Sequence, residues 1–386
     1  MDEVRVNRKA ARRVASGHPW IFESDVVDTA GAGPGAVVKV MDPAGRALGT
    51  AHFSAASQIA LRLLSRRVEE VDREFFALRL AAAEAHRRRV VSDTDAYRVV
   101  HGEGDLLPGL VVDRYADWLV LQTLNQGMDA AREWIVASLV ELFSPRGIVA
   151  RNDAAVRARE ALPLEACVTY GDVPDTVEFR MNGLRLQADL LHGQKTGAFL
   201  DQRENYSAAG RYARGKALDC FTSTGGFALH AAPVCESVEA LDSSGAALAT
   251  AVRNAALNGI SNIEFREADV FVVLAAYASA RRQFQTVILD PPAFAKSRST
   301  LEDAIRGYKE INLRALRLLG PGGILVTCSC SHHLKEAMFL ELVAQASLDA
   351  GRQLRVLERR TQALDHPILL TVPETHYLKC LILEVL

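Results

Sequence analysis

Two cysteines near residue 330 are the side chains in this sequence best suited to nucleophilic chemistry. The segment Gly322–His333 reads GGILVTCSCSHH, and its apolar run predicts a strand that ends among Cys328 and Cys330. A thiol at a strand end can act as a nucleophile when its surroundings favour the thiolate. The Cys-x-Cys-x-His-His pattern could instead bind zinc, although zinc sites normally use separated pairs of ligands. An inert buried thiol is a third interpretation, and it is the one predicted for Cys220, Cys235 and Cys380.

Two acidic strand ends upstream predict a pocket for a cofactor that carries adenosine. In Ala217–Ala232 a strand ends at Asp219, and a Gly-containing turn leads into a helix, so backbone N–H groups can approach a ligand. The next strand ends at Asp242, where an acid can accept hydrogen bonds from ribose hydroxyls. The dinucleotide pattern GxGxxG is absent. A tight turn at Gly225 and a helix N-cap at Asp242 are the structural alternatives.

The segment ILDPPAF (Ile288–Phe294) predicts a place for a planar substrate. An apolar strand delivers Asp290, and two prolines then force a rigid, extended exit. Phe294 could stack on a base. A strand followed by a stiff loop is the structural alternative.

A thiol beside an adenosine pocket suggests one reaction in particular. Carbon 5 of a pyrimidine is too weak a nucleophile to attack a sulfonium methyl group. A thiolate that adds at carbon 6 makes carbon 5 enamine-like, and it can then accept the methyl group before the thiolate leaves. Covalent catalysis of this kind divides one difficult step into easier ones.

The elements that must position these residues follow from strand–helix alternation after residue 192. The strand candidates are KALDCF, SVEALD, IEFREAD, FQTVILD, GGILVTCS and LKCLILEV. This alternation predicts a doubly wound α/β sheet, in which ligands bind at the carboxyl ends of the strands. Asn182-Gly183 lies between alternating runs and predicts a hairpin within a linker at 177–191.

The first half of the chain predicts two smaller domains. Short apolar runs separated by turns favour a small β-barrel over 1–70. Its beginning is rich in cations, for which a solvated edge is the structural alternative; they are Arg5, Arg8, Lys9, Arg12 and Arg13. A helix over 68–90, with acids first and bases last, suits the helix dipole. Strand–helix–strand patterning over 98–150 places a small α/β domain at 71–176, and the last domain covers 192–386.

Composition limits the classes of protein that remain. The chain has 386 residues, of which 49% are hydrophobic and 24% charged, which excludes a disordered or low-complexity chain. The net charge is −2, although 37 of the 45 basic residues are arginine. The N-terminus lacks the apolar region of a signal peptide, and no run of 18 apolar residues occurs. We therefore expect a soluble cytoplasmic protein with reduced cysteines and no membrane partner.

At this point the motifs resemble a known family. The chain is similar to the RlmI-type 23S rRNA (cytosine-C5) methyltransferases, which are class I S-adenosylmethionine-dependent enzymes with an N-terminal PUA domain. The resemblance covers nearly the whole chain, and GQKTGAFLDQREN (Gly193–Asn205) is its most specific part. The other matching segments are GHPWIF, DLLPGLVVDRYADWLVLQ, ARNDAAVRAREAL, DCFTSTGGFALHAA, VILDPPAFAKS, the CSCS segment and LDHPILLTVPETHYLK. The fold implied is a Rossmann-like methyltransferase domain after a PUA-like barrel and a central α/β domain.

The resemblance also implies a role for each matching residue. The S-adenosylmethionine pocket would be lined by Gln202, Arg203, Asp219, Phe221, Thr224, Gly225 and Asp290. Asp242 would hold the ribose, and Asp269 would lie near the adenine. Cys330 is preferred to Cys328 as the nucleophile, and Asp290 would contact the target cytosine. The residues that follow it would line the substrate site, and they are Pro291, Pro292 and Phe294.

Two departures and two rival functions complete the expectations. Tyr206 and Asn152 stand where the family often has arginine and serine, which puts placement of the RNA in question. The partner expected is 23S rRNA, in protein-free form or early in assembly, and a homodimer is compatible with the sequence. One rival is guanine-N7 or exocyclic-amine methylation of rRNA, which needs no cysteine nucleophile. The other is a non-catalytic RNA-binding assembly factor.

Overall fold

The computed structural model describes residues 1–193, 196–294 and 300–386. Residues 194–195 and 295–299, which belong to the GQKTG and DPPAFAKS motifs, lie outside the described residues. Contacts divide the chain into two compact units. The first unit comprises Met1–Met181, Ala188–Leu200 and Leu364–Thr375, and the second comprises Asn182–Gln187, Asp201–Ala363 and His376–Leu386. Two segments of the first unit, 188–200 and 364–375, thus lie wholly or partly within the range predicted for the last domain, and the predicted domain boundaries remain a prediction.

The beginning of the chain forms a six-stranded sheet with one helix. Its strands are β1 (Asp2–Val6), β2 (Trp20–Phe22), β3 (Val26–Asp28), β4 (Val37–Met41), β5 (Ala47–Phe53) and β6 (Ile59–Ser65), in the order β2-β6-β5-β4-β1-β3. The predicted short strands are therefore present. Helix α1 (Arg8–Ala15) was not predicted, and it carries most of the early cations. It forms because Asn7 caps it and because Ala10 and Val14, four residues apart, both point into the core.

The next part of the first unit is a five-stranded sheet in the order β11-β10-β9-β8-β7. Its strands are β7 (Ala96–His101), β8 (Leu110–Tyr115), β9 (Trp118–Thr123), β10 (Gly147–Asn152) and β11 (Glu165–Gly171), and its helices are α2 (Arg73–Val90), α3 (Gln126–Ala130) and α4 (Arg132–Phe143). The strand–helix–strand prediction was incomplete, because β7, β8 and β11 were missed. The β8–β9 turn has Ala116 rather than glycine at positive φ, and β11 has an exposed, half-polar sequence, so neither gives a strong local signal.

The predicted hairpin is confirmed. Strands β12 (Val177–Met181) and β13 (Leu184–Ala188) pair on either side of Asn182-Gly183. Both turn residues have positive φ, 51° and 79°, as a type I′ turn requires.

The second unit is built on a seven-stranded sheet that matches the predicted doubly wound topology. Its order is β16-β15-β14-β17-β18-β20-β19. The strands are β14 (Gly215–Cys220), β15 (Cys235–Asp242), β16 (Ile263–Glu267), β17 (Phe284–Leu289), β18 (Leu319–Ser329), β19 (Leu354–Arg360) and β20 (Lys379–Val385). The helices are α5 (Arg203–Tyr212), α6 (Gly226–Ala231), α7 (Gly245–Leu257), α8 (Val270–Ser279), α9 (Leu301–Arg317) and α10 (Glu336–Asp349). Strand β19, LRVLERR, was not predicted because its composition is that of a polar edge.

The strand order of this sheet decides where a ligand can bind. Strands β14 to β18 run parallel, whereas β20 is antiparallel to both β18 and β19. The order reverses around β14, which lies between β15 and β17. Asp219 pairs with Ile288 and Leu289 with Thr327, so these strands end at one edge of the sheet. Such a reversal opens a crevice beyond the carboxyl ends.

The apolar interior accounts for the packing of helices on this sheet. Leu218, Val287 and Leu325 are fully buried together with Tyr308 and Ile311 of α9. In the described part of the chain no helix is long and apolar enough to cross a membrane.

Candidate active site

The turn between β14 and α6 has an unusual backbone conformation. Phe221 and Ser223 adopt positive φ values of 66° and 51°, and Gly225 follows at 90°. For side chains other than glycine this conformation costs about 1–3 kcal/mol and is concentrated at functional sites. The turn predicted from Gly225 is therefore a strained loop at the crevice, and Phe221 and Thr224 lie within it. The carbonyl oxygen of Thr224 accepts a hydrogen bond from Asn254.

Asp219 is a buried carboxyl group with one oxygen that accepts no hydrogen bond from the described residues. Its Oδ2 accepts hydrogen bonds from the Thr222 hydroxyl (2.5 Å) and from the backbone N–H of Ala228 (3.0 Å). Its Oδ1 is buried and has no hydrogen-bond partner among the described residues. Burial raises the pKa of Asp219 to about 7, and the nearby carboxylate of Asp242 adds to the rise. A cationic or N–H-bearing ligand would satisfy this carboxyl group.

Asp242 lies at the end of β15 and faces the same turn. Its Oδ2 accepts from the backbone N–H of Ser223 (2.8 Å) and its Oδ1 from that of Ser244 (2.9 Å). Ser244, rather than Asp242, caps helix α7, so the N-cap alternative does not describe this residue. Both carboxylate oxygens keep lone pairs that can accept from hydroxyl groups.

Asp269 caps helix α8. Its Oδ1 accepts from the backbone N–H of Phe271 at 2.8 Å. This contact gives Asp269 a structural role of its own. Its location near an adenine remains a prediction.

Gln202 and Arg203 lie where a short turn leads into α5. Gln202 donates from Nε2 to Asp290 Oδ1 (2.8 Å) and accepts at Oε1 from Asn205 (2.7 Å). Arg203 is buried, and its guanidinium reaches Glu204. Gln202 thus connects α5 directly to the Asp-Pro-Pro loop.

The two cysteines of the CSCS segment have different surroundings. Cys328 is fully buried, and it pairs across the sheet with Cys380 of β20. Burial, with Cys380 next to it, raises the pKa of Cys328 well above its usual value, which keeps this thiol protonated. Cys330 follows the end of β18 and is partly exposed, with its Sγ 4.0 Å from the carbonyl oxygen of Pro291. The other three cysteines predicted to be buried, Cys220, Cys235 and Cys380, are buried.

The residues of the Asp-Pro-Pro loop differ from one another in exposure and in contacts. Pro291 is buried beside the Cys330 thiol, whereas Pro292 is exposed. The ring of Phe294 lies 4.6 Å from that of Tyr308 and 5.8 Å from that of Phe271. Phe294 therefore already packs against two aromatic rings in a tilted arrangement, and its contact with a base remains a prediction.

Sequence reasoning missed two residues that approach the thiol. Lys379 begins β20 and is buried, and its Nζ donates to the Ser331 carbonyl oxygen. The hydroxyl of Tyr308 lies 3.0 Å from that of Ser331. A lone lysine opening the apolar run LKCLILEV was the available signal for Lys379.

The two departures from the family pattern are both buried. Tyr206 packs against Phe227, with ring centroids 4.7 Å apart, and a Cβ added at Gly226 would collide with its ring. Asn152 is fully buried in β10 and accepts from the backbone N–H of Thr123. Both residues thus have local packing roles.

Comparisons with known proteins agree with this geometry. A family model described as a PUA-like domain matches residues 4–66, and one described as an S-adenosylmethionine-dependent methyltransferase matches residues 97–380. A crystal structure of SMU.776 complexed with SAH shares the fold over 100% of both chains, with a TM-score of 0.86 and 20% identity. The protein is therefore a class I S-adenosylmethionine-dependent methyltransferase with an N-terminal PUA-like domain.

Relatives narrow the class further. Ribosomal RNA large subunit methyltransferase I of Shewanella amazonensis is 43% identical over 377 residues, which is 95% of each chain. The protein of the same name from Tolumonas auensis is 42% identical over 95% of each chain. The chain belongs to the ribosomal RNA large subunit methyltransferase I family.

Proposed function

We propose that this protein transfers a methyl group from S-adenosylmethionine to carbon 5 of a cytosine in 23S rRNA, through a covalent adduct with Cys330. The observation that carries the proposal is the contrast between the two thiols of the CSCS segment. Cys330 is partly exposed beside the Asp-Pro-Pro loop, whereas Cys328 is buried, and its pKa is raised well above the usual value. A nucleophile must be accessible and able to ionise, and Cys330 meets the first requirement where Cys328 meets neither.

The crevice residues suit the cofactor. The free Oδ1 of Asp219 and the buried Oγ of Ser223 have no partner among the described residues, so both can accept or donate to a ligand. Asp242, held by two backbone N–H groups, would bind the ribose hydroxyls, and Asp269 would lie near the adenine. When bound, S-adenosylmethionine supplies the methyl group, which leaves its sulfonium sulfur while the electron pair of that bond stays on the sulfur.

Cys330 would activate the cytosine ring for methyl transfer. Its thiolate forms a bond to carbon 6 of the cytosine, and the displaced ring electrons make carbon 5 nucleophilic enough to bond to the methyl carbon. A base then removes the carbon-5 proton. The electron pair of that C–H bond restores the ring double bond as the S–C6 bond breaks, which returns the pair to Cys330.

Asp290 and its neighbours would position the cytosine. Gln202 fixes Asp290 through a 2.8 Å hydrogen bond, so the carboxylate is oriented before a substrate arrives. Pro291, Pro292 and Phe294 would line the ring. The cytosine has to leave its stack to reach this crevice.

The RNA expected is protein-free 23S rRNA or an early assembly intermediate, in the bacterial cytoplasm. Two full-length relatives carry the name of large subunit rRNA methyltransferases. The PUA-like domain carries five cations in its first 13 residues, which suit contacts with phosphates.

The test is methyl transfer from labelled S-adenosylmethionine to protein-free 23S rRNA, followed by nucleoside analysis. We expect labelled 5-methylcytosine with the wild type and a loss of at least a thousandfold in rate with Cys330→Ala. RNA that carries 5-fluorocytidine should become covalently attached to the wild type, because the fluorine cannot leave as the proton does. Cys330→Ala should give no such adduct.

Two further variants make the result specific. Cys235→Ala removes a different buried thiol of the same sheet and should leave methylation unchanged. Cys328→Ala should keep the adduct. Persistent 5-methylcytosine in Cys330→Ala would contradict the mechanism. A methylated guanine or a methylated amino group as product would instead favour the rival chemistries that need no cysteine.

A further inference from the structure

Lys379 is a buried ammonium group at the carboxyl edge of the sheet. Only 4% of its surface is exposed. Its Nζ donates to the carbonyl oxygen of Ser331 (2.7 Å) and to that of Tyr377 (2.8 Å). Lysine is rarely buried unless it is paired, because its charge loses hydration. Two neutral carbonyl groups compensate for that loss only in part, so a reason for keeping a lysine at this position is required.

The sheet register brings this lysine to the nucleophile proposed above. Lys379 pairs with Ser329, the last residue of β18, and the chain then continues directly through Cys330 to Ser331. The Lys379 side chain therefore binds the backbone on the far side of Cys330. Desolvation lowers the pKa of Lys379 to about 8, while the negative charges of the Cys330 thiolate and the Glu336 carboxylate act in the opposite direction and favour the ammonium form.

Several other groups face this cluster. From α9, the hydroxyl of Tyr308 contacts that of Ser331. From the loop after β18, the ring of His332 lies 5.4 Å from that of Tyr377. Glu336 opens α10, and Asp290, which follows β17, interacts with Cys328. In this cluster, Lys379 interacts both with Cys330 and with the carbonyl oxygen of the following residue, Ser331.

We propose that Lys379 is a positioning residue for methyl transfer: its ammonium group stabilises the thiolate of Cys330, and its hydrogen bond to the Ser331 carbonyl oxygen fixes the backbone that carries the thiol. The Cys330 proton leaves to water, and Lys379 stays protonated throughout. This inference rests on the proposed role of Cys330. It assigns the lysine an effect on the ionisation of the thiol, which is separate from any effect on folding.

The test measures the ionisation of the thiol directly, without RNA or cofactor. The full-length protein is alkylated with iodoacetamide between pH 5.5 and 9.5, and modification of the Cys330 peptide is followed by mass spectrometry. Cys167, the other partly exposed cysteine of the described chain, is the internal reference. In the wild type we expect the midpoint for Cys330 to lie at least one pH unit below that for Cys167. In Lys379→Met it should rise by about one unit, which is roughly a tenfold loss of reactivity at pH 7.

Two more variants separate charge from structure. Lys379→Arg keeps the cation and should restore the midpoint at least in part. Lys309→Met removes a surface lysine that pairs with Asp349, and it should leave the Cys330 profile unchanged. Each variant is first checked by circular dichroism and by binding of S-adenosylhomocysteine.

The outcomes that overturn the proposal are equally definite. Equal alkylation midpoints for Cys330 and Cys167 in the wild type would overturn the proposal, and this measurement needs no variant. An unchanged Cys330 midpoint in a folded Lys379→Met protein would also do so, even if methyl transfer fell, because the role would then be structural only. Failure of the proposed function is recognised separately, since it would appear as methylation that survives in Cys330→Ala.

Discussion

The five-stranded sheet of the first unit and the carboxyl edge of the seven-stranded sheet treat buried charge in opposite ways. In the first unit, Arg87 is fully buried and forms two hydrogen bonds to the carboxylate of Asp105. Arg98 likewise binds both oxygens of the buried Asp113, at 2.8 and 2.9 Å. These carboxylates each meet a guanidinium fork, so their charge is compensated within the protein.

At the carboxyl edge, in contrast, the buried carboxyl group of Asp219 meets only neutral donors. A hydroxyl group and a backbone N–H bind one oxygen, and the other oxygen has no partner among the described residues. Its pKa of about 7 records this lack of compensation. The difference teaches that buried charges in the first unit are paired within the protein. At the carboxyl edge, where a ligand is expected, a buried carboxyl oxygen has no partner among the described residues.

The largest expected effect comes from breaking a paired charge. Arg87→Met would leave the Asp105 carboxylate buried without its cation, which typically costs about 3–5 kcal/mol. Arg87 also donates to three backbone carbonyl groups, of Ala83, Arg98 and Asp365, which would lose their donor. We expect the urea unfolding transition reported by tryptophan fluorescence to move to clearly lower urea, since Trp20, Trp118 and Trp134 all lie in the first unit.

The matched control lies on the same helix. Arg73 pairs with Glu141 at the surface, and Arg73→Met should change the free energy of unfolding by less than about 1 kcal/mol. If both variants lost the same amount, buried pairing would not be the cause, and the comparison between the two regions would fail.

The next effect concerns the uncompensated carboxyl group. Asp219→Asn removes a charge that attracts the cationic cofactor, so S-adenosylmethionine should bind roughly 10–100-fold more weakly at pH 8, which corresponds to about 1–3 kcal/mol. In the wild type the affinity should rise as the pH passes through about 7, where Asp219 ionises, and in Asp219→Asn it should stay flat. Isothermal titration calorimetry at pH 6, 7 and 8 measures both.

For the same substitution, Asp219→Asn, we expect folding stability to increase although cofactor affinity falls. The folded pKa of about 7 lies above the ordinary value of 3.8 that applies to the unfolded chain. The stability contributed by Asp219 is therefore complete below about pH 4 and is lost as the pH rises through 7. Relative to the wild type, Asp219→Asn should gain stability between these values. A loss of stability across the same interval would mean that the ionised carboxylate is compensated.

The sequence was sufficient to predict the strands that carry the candidate residues, because those strands give local signals. Asp219, Asp242 and Asp290 each follow an apolar run, and a run that ends in an acid predicts a strand with its functional residue at the carboxyl end. The hairpin at Asn182-Gly183 and six of the seven strands of the last sheet were also predictable from local sequence signals. The resemblance supplied the family, which the comparisons bear out.

The features that sequence analysis missed depend on contacts between residues far apart in the chain. Lys379 reaches the backbone next to Cys330 because β20 inserts antiparallel beside β18, and no local pattern reveals that register. Tyr308 arrives from α9 in the same way. The missed strands β8 and β11 lack glycine-rich turns or strong apolar alternation, so their pairing depends on tertiary contacts. Buried pairs such as Arg87 with Asp105 join residues 18 positions apart and are equally invisible in one sequence.

The smallest expected effect is that of Tyr206→Phe, which tests whether polar groups near Asp219 other than the carboxyl group bind the cofactor. This phenol is buried close to the carboxyl groups of Asp219 and Asp290, and burial raises its pKa well above the usual value, so it stays neutral. Because Tyr206→Phe removes no charge and keeps the packing on Phe227, we expect cofactor affinity to change less than about threefold and stability by less than about 1 kcal/mol. A loss of affinity above tenfold, with unchanged stability, would instead make the hydroxyl a direct ligand of the cofactor. The open polar capacity of the crevice would then extend from Asp219 to the first turn of α6, against which Tyr206 packs.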